Sequence, residues 1–92
     1  MKKAYRSRSR LVLDLLAAIK DEGPVGVTRL LMVANMTHGK LQGLLGSFEE
    51  NGWVLAGRDG ERVQWTITKT GDQVLADLSR VDAVMQDYGL GL

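Results

Sequence analysis

The chain contains no cysteine and one histidine, so a disulfide framework and thiolate chemistry are excluded, and a zinc site would have to draw most of its ligands from carboxylates. No metal role is expected. A long apolar run is also missing. The stretch from Leu11 to Ile19 behind a basic start has the outline of a signal peptide, but Asp14 interrupts it and no small-residue cleavage site follows. The Arg- and Ser-rich start is an equally faint match to an organelle transit peptide. No segment is long enough to span a membrane, and a cytoplasmic location is the default expectation. There is no phosphate-binding glycine loop, metal-ligand cluster or nucleophile constellation. An enzyme is therefore not expected, and no cofactor or small-molecule ligand is implied.

With 92 residues, 45% hydrophobic and 25% charged, the chain suits one folded domain whose own core yields modest stability, so a partner subunit would help. The formal net charge of +1 hides an asymmetry: Lys2, Lys3, Arg6, Arg8 and Arg10 place +5 in residues 1–10 with no acid, whereas residues 61–92 carry −2. This basic arm suits contact with a polyanion on one side of the molecule. It equally suits a solvated tail that aids solubility.

From Ser9 the apolar positions Val12, Leu15, Leu16 and Ile19 fall at helical spacing, and the pattern stops at Asp21-Glu22-Gly23-Pro24. Pro24 to Val27 reads as a brief strand or extended linker. Thr28 is then predicted to cap a short helix over Arg29 to Ala34. Asn35 tolerates the left-handed conformation that ends a helix, and Thr37 can cap the next one, so Asn35-Met36-Thr37 reads as the turn of a helix-turn-helix. In the third helix, Thr37 to Asn51, Leu41, Leu44, Leu45 and Phe48 form one apolar stripe, and Gly52 terminates it.

After Gly52 the period becomes alternating. Trp53 to Ala56 and the Val63, Trp65, Ile67 series read as two strands, joined by Gly57-Arg58-Asp59-Gly60-Glu61 with Asp59-Gly60 supplying the positive φ angles of a hairpin turn. The last helix starts near Thr68 or Thr70; the capping-box spacing of Thr70 and Gln73 favours the later start. Val74, Leu78, Val81, Met85 and Tyr88 recur along it at spacings of four and three, the seam of a coiled coil, before the chain closes on Gly89-Leu90-Gly91-Leu92. Val74 and Leu75 are expected to pack on the domain. Beyond Arg80 the helix outruns it, so Val81, Val84, Met85 and Tyr88 would be exposed in a monomer, which points to homodimerisation.

Helix, short strand, helix, turn, helix, hairpin and helix in this order is the winged helix-turn-helix arrangement, an α+β fold. The sequence resembles the small archaeal winged-helix DNA-binding proteins whose wing is followed by a coiled-coil dimerisation helix. The resemblance is carried by Arg8-Ser9-Arg10, the Ala34-Asn35-Met36-Thr37 turn, the leucine ladder closing on Asn51-Gly52-Trp53-Val54, the Asp59-Gly60 wing tip and Ile67-Thr68-Lys69-Thr70-Gly71. It implies a basic arm over 1–10, a winged helix-turn-helix domain over 11–72, and a dimerisation helix over 73–92 that pairs antiparallel through Leu78, Val81, Val84, Met85 and Tyr88. It further implies double-stranded DNA as partner, and hence a nucleoid-associated location, with the third helix in the major groove and the wing along the backbone or minor groove.

On that resemblance the candidate DNA contacts are Arg29, Thr37, His38, Lys40, Gln42 and Ser47, the wing residues Arg58 and Arg62, and the arm residues Lys2, Lys3, Arg6, Arg8 and Arg10. Lys40 suits guanine or phosphate and Gln42 suits adenine, yet each is also ordinary polar surface. His38 is expected to pack over the turn. Arg6, Arg8 and Arg10 are the strongest phosphate candidates because no sequence neighbour neutralises them. Gly39, Gly43 and Gly46 lie opposite the leucine stripe, each destabilising by about 0.5–1 kcal/mol relative to alanine. They let the helix backbone approach DNA or another helix, or they are tolerated drift. Either way few side chains remain there for base reading. A transcriptional regulator or chromatin-associated protein is expected, the latter favoured by that scarcity; a protein-contact module without DNA binding is the alternative, favoured by the near-neutral charge.

Overall fold

The computed structural model describes residues 6–92. Seven elements follow one another: α1 (Arg8–Glu22), β1 (Val25–Gly26), α2 (Val27–Ala34), α3 (His38–Glu50), β2 (Val54–Asp59), β3 (Arg62–Ile67) and α4 (Lys69–Asp87). The three strands form an antiparallel sheet in the order β1-β3-β2.

Helix α1 begins earlier than its periodicity indicates. Ser7 is extended and its hydroxyl accepts the Arg10 N–H at 3.0 Å, so Arg8 and Arg10 are helical. Leu13, Leu15, Leu16, Ala18 and Ile19 are buried, a wider stripe than Val12, Leu15, Leu16 and Ile19 alone, because α2, α4 and β3 all pack against this helix. Ion pairs tie it to α4 at both ends: Lys20 to Asp72 at 2.7 Å and Arg10 to Asp82 at 2.9 Å.

Two predicted caps are not the ones used. Helix α2 starts at Val27 on an uncapped Gly26, not on Thr28, because β1 pairs Gly26 with Gln64 and delivers the chain straight into the helix. Helix α4 is capped by Thr68, not Thr70. The Thr68 hydroxyl accepts the Gly71 N–H at 3.0 Å and donates to the Gly52 carbonyl at 2.6 Å, while Gln73 reaches forward to Asp77 instead of back. This long-range anchor settles the start of α4 against the local capping-box pattern. Gly71 is packed so tightly that a Cβ there would run into the Trp53 carbonyl.

The end of α3 shows why glycine follows it. Gly52 has φ 74°, and the N–H groups of Gly52 and Trp53 turn back to the carbonyls of Glu49 (3.0 Å) and Phe48 (2.8 Å). The Trp53 ring stacks at a tilt on Phe48 with centroids 5.6 Å apart. Strand β2 consequently starts at Val54 and runs on to Asp59, further than Trp53 to Ala56. The hairpin turn is Gly60-Glu61, with Asp59 paired to Arg62; only Gly60 takes a positive φ, 65°. Trp65 is buried, but Val63 and Ile67 are half-buried like the intervening Gln64 and Thr66, so the burial of this central strand is less one-sided than its alternation predicts.

The core joins Leu15, Leu16 and Ile19 of α1 to Leu30, Leu41, Leu45, Phe48, Val54, Trp65 and Leu75. On α4, Leu75 is buried and Val74 and Leu78 pack partly against this core; of the predicted dimer seam, Leu78 is thus committed to the chain's own core and Met85 is half-buried, whereas Val81, Val84 and Tyr88 stand 50%, 56% and 76% exposed. After α4 the chain reverses at Gly89 (φ 72°); Leu92 packs back on the core, its N–H donating to Asp82 at 2.8 Å.

Candidate nucleic-acid interface

Asn35 ends α2 at φ 52°, ψ 53°, its N–H bonded to the Leu31 carbonyl at 2.9 Å. Thr37 caps α3 through the Lys40 N–H at 3.3 Å. The Thr37 hydroxyl is thus engaged in setting the direction of α3. Met36, between them, packs partly on the core.

Three-residue and four-residue steps along α3 sort its side chains. Leu41, Leu45 and Phe48 face the core. On the opposite side, a Cβ at Gly39, Gly43 or Gly46 would meet nothing within 4 Å, so α3 presents bare backbone. Polar rows flank this bare strip. On the wing side, His38 and Gln42 are exposed with their Nε2 atoms 3.5 Å apart. His38 is therefore exposed at the first turn of α3 and not packed over the turn as expected, while Met36 packs partly on the core. On the other side, Lys40 and Ser47 line a 380 Å³ groove with Arg8, Leu11 and Met36. An adjoining 570 Å³ groove brings Arg6, Asn35 and Thr37 beside Lys40.

A third groove, of 670 Å³, lies between α2, α3 and the wing; Arg29, Gln42, Glu61 and Arg62 all line it. Arg58 and Arg62 are exposed on the hairpin. Arg29, however, is gripped by Glu22 through bonds of 2.7 and 3.3 Å. This pairing holds the Glu22 carboxyl below the usual carboxylate range.

The arm departs furthest from its sequence reading. Lys2 and Lys3 lie outside the described residues. Arg6 bonds the Val33 carbonyl at 2.8 Å and lies 3.4 Å from Asp14; Arg10 bonds Asp14 at 3.2 Å and Asp82 at 2.9 Å. The expectation that nothing neutralises Arg6, Arg8 and Arg10 is corrected for Arg6 and Arg10. Among the described residues, Arg8 and Lys40 have no carboxylate partner. Asp82 is held below the usual carboxylate range by the Leu92 N–H and, next, by Arg10. The Arg10–Asp14 pair was legible as an i,i+4 spacing. Asp82, 72 residues from Arg10, was not.

No three metal-ligating side chains converge among the described residues, and no helix there is long and apolar enough to cross a membrane. The turn, the bare-faced α3 and the hairpin define a winged helix-turn-helix protein. The chain belongs to a winged helix-turn-helix family, whose model matches residues 5–86. In fold it is similar to the crystal structure of Sso10a-2, a DNA-binding protein from Sulfolobus solfataricus, at 18% identity and a TM-score of 0.79 over 90% of this chain and 85% of that one. It is also similar to NadR, solved in complex with 4-hydroxyphenylacetate, at 19% identity and a TM-score of 0.66 over 89% of this chain and 62% of that one. No curated protein matches the chain in sequence.

Proposed function

We propose that this protein is a homodimeric, double-stranded-DNA-binding protein with modest sequence preference, acting as a chromatin-associated protein or broad transcriptional regulator. The supporting observation is the cross-section of α3: a bare backbone strip between two polar rows, each backed by cations from another element. Lys40 and Ser47 share a groove with Arg8 of α1, and Gln42 shares one with Arg62 and Glu61 of the wing and with Arg29. With α3 in the major groove, cations on both flanks reach the phosphate walls, while the bare strip offers few donors or acceptors to base edges. The DNA-binding character of Sso10a-2, which shares this fold, favours the same reading.

Within residues 73–92, the second half of α4 provides the dimer contact. Val81, Val84 and Tyr88 form an exposed apolar row on α4, turned away from the side where Leu75 meets the core, and pairing two such rows removes them from water. Two subunits present two α3 faces, and their combined phosphate contacts raise affinity without base reading.

Fluorescence anisotropy of a labelled duplex, titrated at several salt concentrations, tests this reading. Affinity is expected to fall steeply with salt, and Arg8→Ala or Lys40→Ala to reduce the slope of log K against log salt by about 0.9 per lost phosphate contact. Removing residues 1–5 tests Lys2 and Lys3 without disturbing the Ser7 cap. Absence of binding at low salt would move the assignment to a protein-contact module.

A further inference from the structure

Arg6 lies on the rim of the groove that contains Lys40 and the start of α3, yet its guanidinium is turned to Asp14 (3.4 Å) and to the Val33 carbonyl (2.8 Å). Asp14 in turn shares Arg10 with Asp82, in the order Arg6, Asp14, Arg10, Asp82 and then the Leu92 N–H. The links are unequal. Arg10 sits between two carboxylates at 3.2 and 2.9 Å, and the Asp82 side chain is only 14% exposed. The Arg6 side chain is 40% exposed, and its ion pair is the longest of the set.

We propose that Asp14 is an internal stand-in for a DNA phosphate: it holds Arg6 at the edge of the interface and lowers affinity for polyanions until a phosphate takes its place. This rests on the DNA-binding reading above. The exchange is inexpensive because Asp14 keeps Arg10 when Arg6 leaves, so no carboxylate is stranded, and the Arg10–Asp82 tie between α1 and α4 is undisturbed. An exposed ion pair of this kind stabilises weakly in water, so a phosphate in a strong negative field displaces it readily. Arg6 is thereby a conditional contact, whereas Arg10 is a structural one.

A double-mutant cycle in the full chain tests the proposal, read by duplex anisotropy and by the salt needed to elute each variant from immobilised heparin. Asp14→Asn is expected to tighten duplex binding at low salt by about two- to fivefold, the range of an exposed ion pair. That gain should vanish in an Arg6→Gln background. A gain of equal size with and without Arg6 would show a plain net-charge effect and overturn the proposal, as would no gain in a folded variant. Should Asp14→Asn unfold by circular dichroism, Arg6→Gln alone decides: a salt slope shallower by about 0.9 per subunit bound supports the proposal, and an unchanged slope overturns it. Heparin separates the two readings. An Arg6-dependent shift on heparin without duplex binding supports the restraint and removes the DNA assignment, while duplex binding with an additive cycle does the reverse.

Discussion

Gly71 and Thr68 carry more of this fold than their size indicates, because both meet the backbone that leaves α3. A Cβ at Gly71 has no room beneath the Trp53 carbonyl. Gly71→Ala is expected to destabilise by about 1–3 kcal/mol, the usual range for overpacking, measured by urea unfolding. Thr68→Ala removes both a helix cap and a bond to Gly52 and should lower stability by about 1 kcal/mol, whereas Thr70→Ala should change little. Acid sensitivity belongs to the same scale. Glu22 and Asp82 have depressed pKa values, through Arg29 for the first and through the Leu92 N–H and then Arg10 for the second. A carboxyl with a lowered folded pKa contributes stability above its unfolded pKa and loses it as pH falls through the folded value. The thermal midpoint should therefore drop as pH falls below the ordinary carboxylate range. Asp82→Asn should lower the midpoint at neutral pH and make that acid-induced drop shallower.

Among the elements, α3 sets stability against function. Its inner leucines and Phe48 bury the helix, while Gly39, Gly43 and Gly46 weaken it on the side where nothing touches them. Replacing each with alanine should stabilise the protein by about 0.5–1 kcal/mol, since no neighbour obstructs the added methyl group. If the bare strip lies against DNA, the same substitutions should weaken duplex binding. Stabilisation with unchanged duplex affinity would instead mark the glycines as neutral to function. The wing is simpler: its turn needs a positive φ at Gly60 alone, and Arg58 and Arg62 project from a hairpin whose register is set by the sheet.

For the molecule as a whole, the proposed function joins the exposed row on α4 to the three grooves beside α3. The row is proposed to join two copies, and the grooves to receive phosphate. Sedimentation at micromolar concentration should show a dimer, and Val81→Asp together with Val84→Asp should give a monomer with an unchanged circular dichroism spectrum. Duplex affinity and its salt dependence should fall when dimerisation is lost, because one subunit meets about half as many phosphates. A monomeric parent protein would remove the dimer from the proposed function.

Local chemistry made much of this legible. The leucine ladder of α3, the Asn35 to Thr37 turn, Gly52, and the alternation around Trp65 each report a period or a dihedral requirement that acts within a few residues. The order of these elements sufficed for the winged helix-turn-helix arrangement, and the glycine strip was visible as spacing alone. Tertiary structure decided what depends on partners far apart in the chain. It selected Thr68 over Thr70 through the Gly52 carbonyl, turned His38 outward, brought β1 against β3, and gave Arg10 to Asp82. The count of positive charges in the arm is a property of the sequence. Which of them remain available to a phosphate depends on where carboxylates arrive in space, because electrostatic pairing acts through distance and not through chain order.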